Sequence, residues 1–256
     1  MEKMSLKIYY ILMNNDITVI LNGYRRPDYF KEQYESIANQ TVKPKNIFFF
    51  NNYYSETFDK FDETIISNCV STRSNANFGV WGRFAHALNA RTKYVCILDD
   101  DTIPGKKWLE NCLETSKTHR GLLGTRGVVF HNKYTYWQND SYGWQNQNES
   151  PVQVDIIGHS WFFEKEWLTA YWRELPPDEF FFAGEDMHFS YTIQKYLGIN
   201  TYVPPHPKDD KDMWGSLKAE QYGGDKEATS TYAGGHIGSY YNYLISKGFK
   251  ILRDQS

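Results

Sequence analysis

A single α/β domain with a mostly parallel central sheet flanked by helices is the fold class this sequence predicts, on three observations. Short β-branched or aromatic runs alternate with stretches of helical spacing as far as Leu98. Each of those runs ends in polar residues, at Asn22, at Asn51-Asn52 and at Asp99-Asp100-Asp101. Neither an internal repeat nor a linker-like stretch divides the 256 residues.

The elements follow in order. Ile17–Leu21 reads as a strand, and Pro27 suits the first turn of a helix carrying Tyr29, Phe30, Tyr34, Ile37 and Ala38 over 28–39. Asn46–Phe50 is a second buried strand, Cys69-Val70 a short third, and 79–90 a helix with Phe84, Ala87 and Leu88 on one side. Lys93–Leu98 is a strand running straight into the three aspartates, and a helix begun by Pro104 continues over 108–116. Leu122–Phe130 looks like one strand, 131–150 a polar, aromatic loop, and 152–157 another strand before Gly158–Phe163. Gly184-Glu185-Asp186 opens a helix that Gly198 closes. A loop over 204–235, a helix near Tyr240–Lys247 and a last strand complete the chain. Residues 1–103 then form a nucleotide-binding half and 104–256 an acceptor and catalytic half of one domain.

Composition excludes several classes. With 28 basic and 31 acidic residues, no positive excess exists to drive binding to nucleic acid. Cys69, Cys96 and Cys112 form no Cys-x-x-Cys pair, so buried thiols in a reducing compartment are expected. The apolar run Ile8–Met13 is too short for a membrane span, so no transmembrane segment and a cytoplasmic location are expected. Aromatic residues make up 17% of the chain, and flat amphipathic faces suit sugar rings and bases.

Three consecutive aspartates at a strand end repel one another unless a cation compensates them. Mg²⁺ or Mn²⁺, held by one or two carboxylates and by substrate phosphate oxygens, is the expected compensation. A solvated turn with Asp101 capping the next helix is the plain alternative.

The segment Tyr94-Val-Cys-Ile-Leu-Asp99-Asp100-Asp101-Thr-Ile-Pro104 resembles the Asp-x-Asp segment of GT-A glycosyltransferases of the family-2-like group. Four further segments are similar in the same order: 17–26, Asn75–Arg83 with Asn89, Gly158–Phe163, and Gly184-Glu185-Asp186. The resemblance implies a Rossmann-like GT-A domain that moves sugar from a nucleotide-sugar donor to a glycan or glycoconjugate acceptor. Donor contacts would come from Asn22, Tyr24, Arg26, Asn51, Arg83, Asp99 and Asp100, with Asp99 near the ribose. Asp101 would hold the metal, Asp100 being the alternative ligand, with His236 preferred over His206 as a late contact. Where the family often carries an acidic residue near the base, this chain has Asn51-Asn52; UDP is the expected carrier.

An inverting transfer needs a carboxylate to accept the acceptor's proton. Asp186 is the candidate, with Glu185 as orienter or second ligand and Phe180–Phe182 lending an apolar setting. Helix N-terminal chemistry explains the same pair without catalysis. A more distant similarity to exostosin-like transferases implies retention instead. Trp161 is expected as a sugar platform and His159 on the sugar side, with Trp137 and Trp144 in a recognition loop and 208–235 closing over the donor. The rivals are a sugar-phosphate nucleotidyltransferase, which would want a glycine-richer loop than Asn22–Arg26, and a non-catalytic carbohydrate-binding protein, which would need neither carboxylate group.

Overall fold

The computed structural model describes residues 16–53, 55, 60–222 and 229–254; the apolar run Ile8–Met13 lies outside them. The strands and helices, in chain order, are β1 (Ile17–Gly23), α1 (Pro27–Ala38), β2 (Asn46–Asn51), α2 (Glu63–Ile66), β3 (Val70–Arg73), α3 (Gly82–Ala87), β4 (Tyr94–Leu98) and α4 (Trp108–Thr118). Then come β5 (Gly121–Leu123), β6 (Arg126–Phe130), β7 (Asn139–Gly143), β8 (Val152–Val154), β9 (Ile156–Gly158) and β10 (Ser160–Glu164). α5 (Leu168–Tyr171), α6 (Glu185–Leu197), β11 (Asn200–Val203), α7 (Ala219–Tyr222) and α8 (Thr229–Ser246) complete the set.

The main sheet has eight strands in the order β3-β2-β1-β4-β10-β5-β11-β8. β3, β2, β1 and β4 run parallel, β10 runs antiparallel to β4 and β5, and β11 pairs parallel with β5. A smaller antiparallel sheet, β7-β6-β9, stands beside it. Helices cover both faces of the main sheet, so its central strands are apolar on both sides. Ile20, Val95 and Ile97 enter one core with Phe84, while Val19, Leu21, Cys96 and Leu98 enter the other with Phe49.

β1 lies between β2 on one side and β4 on the other, so the chain reverses its direction of winding there. Ligands bind outside the carboxyl ends of strands at such a switch point. The register pairs Gly23 with Asn51 and Leu21 with Leu98, so residues 24–26, 52 and 99–101 emerge along one edge.

Several expectations need correction. The helix after the aspartates begins at Trp108, not Pro104, and its N-cap position is Lys107, so Asp101 caps nothing. The stretch 79–90 is a 3-10 turn at Gly79–Trp81 followed by a short α3. Leu122–Phe130 is two strands broken at Gly124-Thr125, because β5 belongs to the main sheet and β6 to the small one. The loop over 131–150 contains β7, and 152–157 splits between the two sheets. The 204–235 loop contains α7 and the start of α8, its residues 223–228 lying outside those described. After α8 there is a 3-10 turn rather than a strand, held because buried Asp155 accepts the N–H groups of Phe130 and Leu252, each at 2.7 Å. Among the described residues, no helix is long and apolar enough to cross a membrane.

Two buried amides, Gln33 in α1 and Gln40 just beyond its end, set the acidic turn. Gln33 donates to the carbonyls of Asp99 at 2.5 Å and Thr102 at 2.9 Å. Gln40 donates to the Gly105 carbonyl at 2.7 Å and accepts the Leu109 N–H at 2.9 Å. Gln33→Ala leaves the buried Thr102 carbonyl unsatisfied, while the Asp99 carbonyl keeps the Thr102 N–H, and is expected to cost about 1–3 kcal/mol. Urea unfolding checks this, and an unchanged midpoint would show that the turn does not depend on Gln33.

Candidate active site

A cleft of about 290 Å³ opens at the carboxyl ends of β1 and β4. The β9–β10 turn, the start of α6 and one face of the small sheet complete its walls. The three aspartates diverge at its edge. Asp100 turns back to Arg26, at 2.5 Å, and Arg26 also lies 3.4 Å from Asp101. Asp99 pairs with Arg83. The outer two face His159, whose Nδ1 lies 3.7 Å from Asp99 and 3.9 Å from Asp101.

His159 owes that position to its backbone. It sits between β9 and β10 with φ at +65°, a left-handed conformation that a non-glycine residue adopts at a cost. Its carbonyl accepts the Asp99 N–H and the Thr102 hydroxyl, both at 3.0 Å, which locks the turn to the acidic segment. Its ring stacks on Trp144, with centroids 3.6 Å apart, and Trp144 is itself left-handed at φ +58°. The Nδ1 is buried and has no hydrogen-bond partner. One atom each of Asp99, Asp101 and His159 lie within 4.8 Å of one another. Two carboxylates and an orphaned imidazole nitrogen are a donor set that suits Mn²⁺ or Mg²⁺, so these residues fit the expected metal.

Arg83, buried on α3, spans the site. Besides Asp99 it binds Glu185 at 2.5 Å, and its guanidinium lies 4.6 Å from the Trp161 ring centroid. Burial opposes the charge of Arg83, but Asp99 and Glu185 outweigh it and hold the cation. Burial pushes the Glu185 carboxyl up to about 8 against the pull of Arg83, with Asp186 adding to the rise. Asp186 is raised to about 6, mainly by burial and also by the Asp99 charge. Asp100 is raised to about 7 by burial, against Arg26. For Asp101 the same burial is outweighed by His159 and Arg26, and the carboxyl lies below its ordinary value.

The start of α6 places Asp186. Gly184 has φ +99°, and a Cβ there would stand 2.1 Å from the Tyr240 ring, so only glycine fits. Asp186 Oδ1 accepts the Met187 N–H at 2.7 Å. Its Oδ2 lies 3.9 Å from where a Cβ on Gly158 would be, so the bare β9 end leaves that oxygen open to the cleft.

Asn22, Tyr24, Arg26, Arg83, Asp99, Asp100, Asp101, His159, Trp161, Glu185 and Asp186 all line this cleft. Three expected roles are corrected. Trp161 is only 1% exposed, so its ring carries Arg83 and cannot serve as a sugar platform. Asn51 is buried at the end of β2 and does not line the cleft; Asn52, one residue on, does. Its amide accepts the Phe78 N–H at 2.8 Å and donates to Asn77 and Gly79, each at 3.0 Å, so it fixes a loop. His236 is exposed and stands outside the metal-competent cluster, because Gly234 and Gly235 lie inside α8 instead of in a phosphate loop. His206 is structural: its Nδ1 donates to the Pro204 carbonyl at 2.9 Å, its Nε2 accepts the Gly215 N–H at 3.1 Å, and burial lowers it to about 4.

Sequence reasoning missed Arg126, Tyr136, Phe182 as a lining residue, and Ile237. For Arg126 the available signal was the Gly124-Thr125 break before β6.

The model of the family described as glycosyl transferase family 2 matches residues 18–181. Among solved structures, S. aureus TarS 1–349 is similar at 17% identity with a TM-score of 0.50, over 75% of this chain and 61% of that one. The same protein in complex with UDP gives 16% identity and 0.51 over 73% and 59%, and with UDP-GlcNAc 15% and 0.51 over 77% and 60%. This chain thus spans about three fifths of the length of those structures. Nothing among curated proteins matches it.

Replacing Arg83 by Met strands two carboxylates and is expected to destabilise the fold by about 3–5 kcal/mol. Adding Glu185→Gln to Arg83→Met should recover part of that loss in urea unfolding. Strictly additive losses would show that the two side chains are not coupled.

Proposed function

Because the chain belongs to glycosyl transferase family 2 and has the GT-A fold, we propose that it transfers a sugar from a UDP-sugar to a hydroxyl of a glycan or glycoconjugate, with inversion. The observation that carries this reading is one cleft with a metal-competent Asp99–Asp101–His159 cluster on one wall and the open oxygen of Asp186 on another. UDP and UDP-GlcNAc are bound by the similar TarS, which favours uridine as the carrier.

In this proposal Asp99, Asp101 and His159 hold Mn²⁺ or Mg²⁺. When bound, the ion neutralises the donor's diphosphate and the charge that grows on it as the leaving group. The residues of the chain do the rest. Glu185 is engaged by Arg83, which leaves Asp186 as the carboxylate able to take a proton. The acceptor oxygen attacks the anomeric carbon while its proton passes to Asp186 Oδ2; the bond from that carbon to the diphosphate oxygen breaks. Phe182 and Ile237 give the cleft wall an apolar lining. Tyr24 and Asn77, joined by a 3.3 Å hydrogen bond, wall the nucleotide end.

The direct test incubates the protein with several nucleotide sugars and Mn²⁺ or Mg²⁺ and follows nucleoside diphosphate. Pyrophosphate from a nucleoside triphosphate and a sugar phosphate would instead indicate a nucleotidyltransferase. Asp186→Asn should lower turnover by about a hundredfold to ten-thousandfold while UDP affinity stays near wild type. A variant with wild-type turnover would remove Asp186 as the base. Because the base must be deprotonated and is raised to about 6, kcat should be level above that pH and fall about tenfold per unit below it. A profile flat down to pH 4 would contradict this. Asp101→Ala should abolish the gain in UDP affinity that Mn²⁺ gives, as read by calorimetry with and without chelator.

A further inference from the structure

The arginines lining the cleft are not equivalent. Arg83 is buried and Arg26 partly so, and each lies against two carboxylates: Asp99 and Glu185 for the first, Asp100 and Asp101 for the second. Arg126, at the start of β6, is exposed, and among the described residues no carboxylate lies within ion-pair distance of it. The Ser141 hydroxyl accepts from its Nε at 3.3 Å, which orients the side chain and leaves the guanidinium's charge uncompensated. Its place in the sheet matters. Arg126 pairs directly with Gly158, the bare position beside Asp186 Oδ2. The same wall continues through Val128 and Ile156 to Tyr136, whose hydroxyl feels Asp186 and Arg126 at once. Phe182, which also lines the cleft, is 50% exposed. The acceptor end thus offers ring faces, an apolar wall and one unneutralised guanidinium beside the expected base.

We propose that Arg126 anchors an anionic substituent of the acceptor, so that the acceptor is a sugar or polyol carrying a phosphate or carboxylate near its attacking hydroxyl. The inference rests on the transferase reading above and names the substrate class for that site. The planar guanidinium matches either anion in two-point fashion, and ring faces hold a sugar's C–H surface. Arg126 stands opposite Gly158, next to His159, so the anion on the acceptor is read with the diphosphate site already filled.

The test fills the donor site with UDP and Mn²⁺, then titrates glucose, glucose 6-phosphate and glucuronate by calorimetry. A charged sugar should bind about tenfold to a hundredfold more tightly than glucose, and comparing the two charged sugars tells phosphate from carboxylate. Arg126→Ala should reduce that preference to about one, and Arg126→Lys should restore part of it; a merely structural role would weaken all three sugars alike. Equal affinities in the wild type, no binding by the charged sugars, or a preference surviving in Arg126→Ala would overturn the proposal. Failure of the transferase reading shows elsewhere, as absence of nucleoside diphosphate release from any nucleotide sugar.

Discussion

The organisation of this protein follows from crowding five carboxylates, Asp99, Asp100, Asp101, Glu185 and Asp186, into one largely buried corner with two arginines, Arg83 buried and Arg26 partly so. Burial disfavours each ionised form, and mutual repulsion adds to the penalty. Arg26 and Arg83 offset part of it, and the remainder appears as raised carboxyls at Asp100, Glu185 and Asp186. A corner with this excess of negative charge favours added positive charge, and it has an imidazole nitrogen without a partner to help hold it. Such an arrangement weakens the fold relative to an apolar one, which is the usual signature of a site kept for chemistry.

Holding the corner requires the backbone to be fixed from several directions. Gln33 of α1 and Gln40 just after it grip the acidic turn through its carbonyls and an N–H. The His159 carbonyl takes two donors from that turn. The two outer strands of the small sheet are followed by left-handed residues, Trp144 after β7 and His159 after β9, and their rings stack on each other. Neither conformation is favourable alone. Each is maintained because the stacked pair and the hydrogen-bonded carbonyl specify both together.

The chain as far as Leu98 was legible because its strands are near-continuous apolar runs that end abruptly in polar residues, as parallel strands buried on both faces do. The second half was not. β5, β8 and β9 have three residues each, and β7, Asn139–Gly143, is polar throughout, so no local period marks them. Their pairing is decided by distant partners. The same limit hid how close His159, expected on the sugar side, comes to Asp99 and Asp101, which depends on a left-handed turn, and it misdirected His236, whose flanking glycines suggest a loop but lie in a helix. The aromatic richness was also ambiguous. Trp108, Trp161, Tyr171, Tyr240 and Tyr241 are fully buried and build the cores, so most of the flat surface never meets a ligand.

The aspartate triplet shows how three identical neighbours acquire different roles. At the end of β4 the chain turns, and successive side chains leave it in different directions. The middle one, Asp100, points toward α1 and is taken by Arg26. Asp99 and Asp101 are left on the side of the β9–β10 turn, where His159 stands. Asp99 is shared further with Arg83, which ties it to Glu185 at the start of α6. One guanidinium therefore links the metal-competent wall to the helix that carries the expected base. A shift of α6 relative to β4 would break an ion pair buried against Trp161, so the separation between the two walls is held by charge rather than by loop packing.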